Sequence, residues 1–477
     1  LSEPERYVFR RLAVFAGPFD LAAATAVGKG GQVDEVGAED AFFSLVDKSL
    51  VLPGTAGLVS RYRLLESIRQ FAEEQLAGAG EEERLCACDR LVAHYTAVVA
   101  RAEPEFFGPH EDTWLERLAE DQPNLLVALG YADAGIGTAD WGLGLASSLD
   151  NYWLMEEPAL GAEVLERALA HDTSDLPPRV RAKSMWVLAE QCQHIGRDGR
   201  AIEICNEAFP LAMAAGDFAS AAQCRKVASN AHLSRGELGN AIPLMTEARE
   251  LAFRSGDAVA IVQVLHDESL REMTAGNLEA ARVGFNEALA RCEKAGATRH
   301  ALLVRVNLGN LEEATGDLAE AMALFSYAFD HLRDRRRGLV GPLAGLVSMN
   351  LASLLIMQGD VEGALEFMPT VMANSRFHPA GTLLLVALSA GASGDYETAS
   401  RLHGAADALR QRSGLGASMS EVGERLLQSD RDSLRANRDI DFDRLYASGV
   451  QLGEEQALRL ATDFVSGLRH RLGPVST

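Results

Sequence analysis

The sequence predicts a mainly α protein, with a short N-terminal unit of three helices and a strand pair followed by a stack of helical hairpins. Three observations carry this. A glycine–alanine pair recurs at nearly constant spacing along the middle of the chain. Hydrophobic residues make up 47% of the 477 residues while aromatics make up only 6%, with Ala, Leu, Glu and Arg prominent, a mix that suits helices packed through small side chains better than β-sandwiches. No stretch approaches the roughly 18 uninterrupted apolar residues of a membrane span, so no membrane partner is expected.

The repeat is the strongest signal. Gly196 and Ala201, Gly236 and Ala241, Gly276 and Ala281, Gly316 and Ala321, Gly359 and Ala364, and Gly394 and Ala399 each stand five residues apart. Their glycines are spaced 40, 40, 40, 43 and 35 residues. An earlier degenerate copy places Glu156 and Gly161 in the same register. Each glycine is expected to end a first helix in the left-handed conformation that a Cβ disfavours. The alanine then lets a second helix approach closely. Apolar residues follow at helical spacing, as in Ala241, Met245 and Ala248, Ala281, Phe285 and Ala288, or Ala321, Phe325 and Ala328. One such hairpin cannot bury its stripe alone, whereas stacked copies share a continuous core.

Leu308-Gly309, Gly316, Ala321, Phe325 and Ala328 resemble the tetratricopeptide repeat at that family's offsets, over roughly residues 150 to 410. The resemblance implies a right-handed TPR-like α-superhelix. The repeat here is about 40 residues where the family usually has about 34, which implies longer helices or linkers, as in MalT-like regulators.

The flanks read differently. Residues 1–82 hold amphipathic helices expected at Glu3–Phe15, Phe19–Val27 and Ala38–Lys48, then short apolar runs at Leu50-Val51-Leu52 and Tyr62-Arg63-Leu64-Leu65 around a tip containing Pro53-Gly54-Thr55-Ala56-Gly57. Three helices and a hairpin describe a winged helix, and a helix at Ser67–Ala77 follows. Residues 83–150 read as a helical connector, 151–412 as the repeats, and 413–477 as helices that cap the stack after a break at Ser413-Gly414-Leu415-Gly416.

Charge narrows the partners. The formal net charge is −23, from 68 acidic and 45 basic residues, a field that repels phosphate backbones and anionic membranes. Residues 1–80 carry 11 acids and 8 bases, and the third helix holds Glu39, Asp40 and Asp47 beside only Lys48. Direct DNA contact is therefore not expected, although a DNA-binding transcription factor using its own winged helix stays as the alternative. The basic run Arg333-Asp334-Arg335-Arg336-Arg337 reads as a solvated inter-repeat loop, with an acidic partner or a nucleotide as the lesser option.

Three phrases together resemble the C-terminal part of bacterial STAND regulators, signal-transduction ATPases related to NB-ARC proteins. They are Phe43-Ser44-Leu45-Val46-Asp47-Lys48-Ser49-Leu50, Arg63-Leu64-Leu65-Glu66-Ser67-Ile68-Arg69-Gln70-Phe71-Ala72, and Leu402-His403-Gly404-Ala405-Ala406-Asp407-Ala408-Leu409-Arg410. In that family a P-loop ATPase precedes the winged helix, repeats follow it, and LuxR-type or SARP-type DNA-binding domains are frequent additions. No G-x-x-x-x-G-K-[ST] occurs in this chain, and Gly28-Lys29-Gly30-Gly31 lacks both the spacing and the hydroxyl. The resemblance therefore implies that ATP and magnesium belong to a module upstream of Leu1, that no cofactor is held here, and that this is a cytoplasmic sensing and autoinhibitory arm.

No catalytic or metal residues are expected. Cys86-x-Cys88 lacks a second ligand pair for zinc, and the six cysteines suit a reducing compartment. His94, His232 and His266 read as helix-packing or surface residues. The binding candidates come from counting back from each glycine to the inward face of the first helix. That line contains Lys183, Trp186 and Glu190, then Gln223, Lys226 and Asn230, then Gln263, His266 and Asp267, then Asn307, Asn310 and Glu313, and finally Asn350 and Ser353. Amides that both donate and accept, with a Trp among them, suit a peptide, a protein segment or a small-molecule inducer. The competing expectation is that these are merely solvated polar positions.

Overall fold

The computed structural model describes residues 1–54, 60–135, 139–171, 173, 175–334, 339, 341–413 and 421–472. The described chain is mainly α and packs as two compact units, Leu1–Val264 with Ala295–Ala297, and Leu265–Lys294 with Thr298–Thr477. Thr55, Ala56 and Gly57 of the expected hairpin tip, Arg335, Arg336 and Arg337 of the basic run, and Gly414, Leu415 and Gly416 lie outside the described residues.

The first unit opens with α1 (Glu3–Arg11), β1 (Phe19–Asp20), α2 (Leu21–Gly28), α3 (Glu35–Asp47), β2 (Leu52–Pro53) and β3 (Arg61–Arg63). The strands pair antiparallel in the order β1-β3-β2, with Phe19 opposite Tyr62 and Leu52 opposite Arg63. This is the winged helix, with three corrections to its boundaries. The first helix stops at Arg11 and tightens into a short 3-10 turn, Leu12–Val14. Phe19 is in a strand rather than a helix, because Asp20 caps α2 by accepting from the Ala23 amide at 2.7 Å. The third helix begins earlier than expected, at Glu35, where Asp34 caps it. Phe15 stacks on Phe19 with centroids 4.2 Å apart, and Phe42 meets Tyr62 edge-on at 4.8 Å, which closes the small core over the sheet.

Next come α4 (Glu66–Gly78), α5 (Glu81–Ala102), α6 (Glu111–Asp133), α7 (Ala139–Ser147), α8 (Asp150–Glu156) and α9 (Pro158–Ala170). Helix α6 is bound tightly to the winged helix. Asn124 accepts from the Ala16 and Gly17 amides at 2.9 Å each and donates to the Pro18 carbonyl at 2.8 Å. Arg117 reaches Asp20 at 2.9 Å, and Arg61 pairs with Asp121, both buried. Backbone groups of a loop that would otherwise be orphaned are thus satisfied by one side chain. Gly161 in α9 stands where a Cβ would meet Trp153 at 2.6 Å, so the degenerate copy uses a glycine where the others use alanine.

The repeats follow as α10 (Pro178–His194), α11 (Asp198–Ala214), α12 (Phe218–Ser234), α13 (Leu238–Ser255), α14 (Ala258–Thr274), α15 (Leu278–Ala295), α16 (Thr298–Thr315) and α17 (Leu318–Arg333). Ala201, Ala241, Ala281 and Ala321 are fully buried, as are Phe285 and Phe325. Gly196, Gly236, Gly276 and Gly316 all have φ between 75° and 90°. The amide after each closes a six-residue bond onto the helix it ends, for example Arg197 to Cys192 at 2.8 Å and Asp317 to Glu312 at 2.9 Å. Gly216, Gly256 and Gly296 share that conformation and fall midway between the others, so the turn recurs every 20 residues, at both ends of each hairpin. The extra length of the repeat lies in the helices themselves, each 16 to 18 residues.

The pattern then loosens. After α18 (Pro342–Met357), the copy begun by Gly359 breaks into two short pieces, α19 (Val361–Ala364) and α20 (Met368–Ala373), where one continuous helix was expected. Gly363 follows an Asp360 cap, and Pro369 starts the second piece. Helices α21 (Pro379–Ala392) and α22 (Tyr396–Ser413) restore a full hairpin. Helices α23 (Glu421–Ala436), α24 (Phe442–Val450) and α25 (Glu454–Leu472) bury Leu427, Phe442, Ala461 and Phe464 in the same core as Leu384 and Leu402.

Candidate partner-binding ladders

Each of these first helices presents its polar candidates on one side, and the structure brings most of them together. In the first unit, Lys226 on α12 places Nζ 2.8 Å from Oε1 of Glu190 on α10. Lys226 also reaches Oε1 of Gln263 at 3.5 Å, and Gln223 donates Nε2 to that same oxygen at 2.6 Å. Glu190, Gln223 and Lys226 are buried. Oε1 of Gln223 is buried with no hydrogen-bond partner. An orphaned amide carbonyl of this kind costs about 1 to 3 kcal/mol unless a donor arrives.

Trp186 is also buried, and its indole donates to Ser220 Oγ at 3.3 Å, while Ser220 donates to Asp217 at 3.0 Å. Lys183 turns away from the others. It pairs with Glu103 and donates to Ser148 Oγ at 3.2 Å. Nearby Asp150 is pushed up to about 6 by burial, against the attraction of Lys183.

In the second unit the candidates form a directional chain. Asn350 donates to Asn310 at 2.8 Å, Asn310 to Asn307 at 3.4 Å, and Asn307 to Nε2 of His266 at 2.7 Å. His266 in turn faces Asp267 through Nδ1 at 3.2 Å. An Nε2 that accepts and an Nδ1 that faces a carboxylate make His266 the Nδ1-protonated tautomer. Aligned donors polarise one another, so the chain runs from an amide end at Asn350 to a charged end at Asp267. His266, expected both as a packing or surface residue and on the candidate line, packs with its ring 5.9 Å from Phe285 and joins this chain as well.

Asn230, Glu313 and Ser353 lie on the same faces one turn further along. Sequence reasoning missed Glu103, Ser148, Asp217 and Ser220, which anchor Lys183 and Trp186. Asp217 and Ser220 were findable, since they follow Gly216, the first of the midway glycines. The expectation of merely solvated polar positions is overturned for Glu190, Gln223, Lys226 and Asn307, which are buried and bonded from repeat to repeat. Among the described residues, no group of His, Cys, Asp or Glu could hold a metal ion, and no helix is long and apolar enough to cross a membrane.

Residues 1–77 match the winged helix-turn-helix domain family. A Mycobacterium tuberculosis protein described as an HTH-type transcriptional regulator is 37% identical over 153 residues, which are 32% of this chain and 17% of that relative. An uncharacterised M. tuberculosis protein is 45% identical over 89 residues, 18% of this chain and 22% of its own length. The chain therefore matches less than a quarter of the length of these curated relatives. Among solved structures, a STAND protein with a tetratricopeptide repeat sensor from Pyrococcus horikoshii is similar, with a TM-score of 0.54 and 15% identity over 99% of this chain and 64% of that one. That likeness establishes the fold, a winged helix joined to a tetratricopeptide-like solenoid.

Proposed function

We propose that this chain is the sensing and interaction arm of a signal-transduction ATPase regulator. A peptide or protein segment, or a small-molecule inducer, binds at the polar ladders and changes the state of a nucleotide-hydrolysing module that precedes the winged helix in the same polypeptide. ATP and magnesium belong to that module. The working division is a winged helix over 1–82, a connector over 83–150, repeats over 151–412 and capping helices over 413–477, acting in the cytoplasm.

The observation that carries this reading is the unpaired Gln223 carbonyl. It is fixed beside Lys226 and Gln263 in a buried polar row, and a partner N–H would satisfy it. A thermal-shift screen of the chain against peptides and small metabolites tests the idea. Binders are expected to lose their shift with Gln223→Ala or with Asn307→Ala and Asn310→Ala together. If every binder keeps its full shift in these variants, the ladders are structural only.

The match of residues 1–77 favours a second reading, in which the winged helix contacts DNA itself. The acidic third helix opposes it, and duplex binding by the chain at physiological salt would reinstate it.

A further inference from the structure

In a helix-turn-helix, the second helix of the motif is the one that enters the major groove. Here that helix is α3, and its buried side is Ala38, Ala41, Phe42 and Leu45. Its outward side is Glu35, Val36, Glu39, Asp40, Phe43 and Asp47, all exposed. Val36 is 67% exposed and Phe43 is 42% exposed, two turns apart on the same stripe. The two neighbouring lysines are already engaged, Lys48 with Glu5 at 2.6 Å and Lys29 with Glu35 at 3.3 Å. Four carboxylates around two exposed apolar side chains would face phosphates with repulsion and would leave Val36 and Phe43 against a charged backbone.

Beside this stripe, between α2, α3 and β3, lies a hollow of about 550 Å3. Leu21, Ala22, Ala26 and Tyr62 form its apolar lining, and Asp20, Glu35 and Glu39 supply carboxylates. Asp20 is already paired with Arg117, and Glu35 with Lys29 on the same wall, which leaves Glu39 for an incoming cation. A lysine or arginine side chain suits this shape, because its aliphatic stem covers apolar surface while its charged head pairs with carboxylates.

We propose that the outward face of α3 docks a basic protein segment, one that carries Lys or Arg beside an apolar anchor, instead of duplex DNA. Phe43 and Val36 supply the apolar contact, and Glu35, Glu39, Asp40 and Asp47 supply the charge complement that steers and orients the partner. This inference rests on the winged helix alone and is independent of the ladders.

Fluorescence anisotropy of the full chain with a labelled amphipathic lysine–leucine peptide, and separately with a labelled mixed-sequence duplex, tests it. The wild-type chain is expected to bind the peptide with an affinity that falls as salt rises. Charge reversal by Glu39→Lys with Asp40→Lys, and separately Phe43→Ser, should each weaken peptide binding about tenfold or more, given that tenfold is about 1.4 kcal/mol. The control, Glu74→Lys with Glu454→Lys, makes the same change in net charge off this face and should leave binding within about twofold. All five substitutions are at exposed positions, and unchanged circular dichroism melts would confirm folding. Three results would overturn the proposal: no peptide binding by the wild type, equal losses in α3 and control variants (a non-specific acidic field), or duplex binding by the wild type that Phe43→Ser abolishes.

Discussion

Lys226 and Glu190 form an ion pair in which neither side chain is more than 7% exposed. Removing one partner strands the other charge out of water, which typically costs about 3 to 5 kcal/mol, whereas replacing both with neutral groups of similar size is often close to neutral. Lys226→Met is therefore expected to lower the denaturant midpoint sharply, and Glu190→Gln with Lys226→Met to recover most of the loss. Equal destabilisation by the single and double variants would show that the pair is not coupled.

Two kinds of glycine in the repeats should respond differently to alanine. Gly276 has φ of 82° with open space where a Cβ would go, so Gly276→Ala suffers backbone strain alone, about 1 to 2 kcal/mol, and Gly276→Asn less. Gly309 sits mid-helix, and a Cβ there would meet the Phe325 ring at 2.5 Å. Gly309→Ala is expected to cost about 1 to 3 kcal/mol by overpacking, and Phe325→Leu in the same chain to relieve part of it. Urea unfolding of these variants, with Phe325→Leu also placed in the Gly276→Ala chain, distinguishes strain from crowding, since Phe325→Leu should give no relief to Gly276→Ala.

The same glycines show what was legible in the sequence. Gly196, Gly236, Gly276 and Gly316 revealed the hairpins because a left-handed helix end leaves few alternatives to glycine, and the buried alanine five residues later marks the close crossing. That signal also stood at half the period. Ala221 follows Gly216 by five residues, and Ala301 follows Gly296, but Ile261 in the Gly256 copy breaks the pattern and hid the 20-residue turn spacing. The inward faces of α10 to α18 could be counted from the helical period, and Glu190, Lys226, Gln263, Asn307 and Asn350, counted onto one line, do reach counterparts on other helices. Lys183 could not be assigned, because its partner Glu103 lies 80 residues away and only folding brings it near. Burial was equally hidden, since amides and a Lys–Glu pair look the same in sequence whether wet or dry.

Asp150 should leave a signature in the pH dependence of stability. Burial raises its carboxyl to about 6, with Lys183 opposing and Glu190 and Glu103 reinforcing the shift. Between the ordinary carboxylate value and about 6, the folded protein holds a proton that the unfolded chain has released. Stability from this group is therefore present at low pH and declines as pH rises through that window. Asp150→Asn removes the titration. The variant is expected to melt above the wild type at about pH 7 and to converge with it near pH 4. A difference that stays constant across that range would assign the ionisation elsewhere.

Cys86 is expected to be the reactive thiol among the six. Partial burial pushes it up, but hydrogen bonds from Arg11 and Arg90, with their charges, bring it below the ordinary thiol value. Burial instead raises Cys88, Cys192 and Cys205, pushes Cys224 up to about 12, and leaves Cys292 inaccessible. Because the thiolate is the nucleophile, a depressed and partly exposed cysteine alkylates first at neutral pH. Limited treatment with iodoacetamide followed by peptide mass spectrometry should find Cys86 modified well before the others. Its rate against pH should bend below the value of a free thiol, and Arg90→Leu should move that bend upward by removing one of the two guanidinium groups that stabilise the anion. Arg90 suits this test better than Arg11, which also donates to the Val27 and Lys29 carbonyls and supports the end of α2. Modification of Cys88 at a rate equal to that of Cys86, or a bend indifferent to Arg90→Leu, would show that the arginines do not govern the thiol.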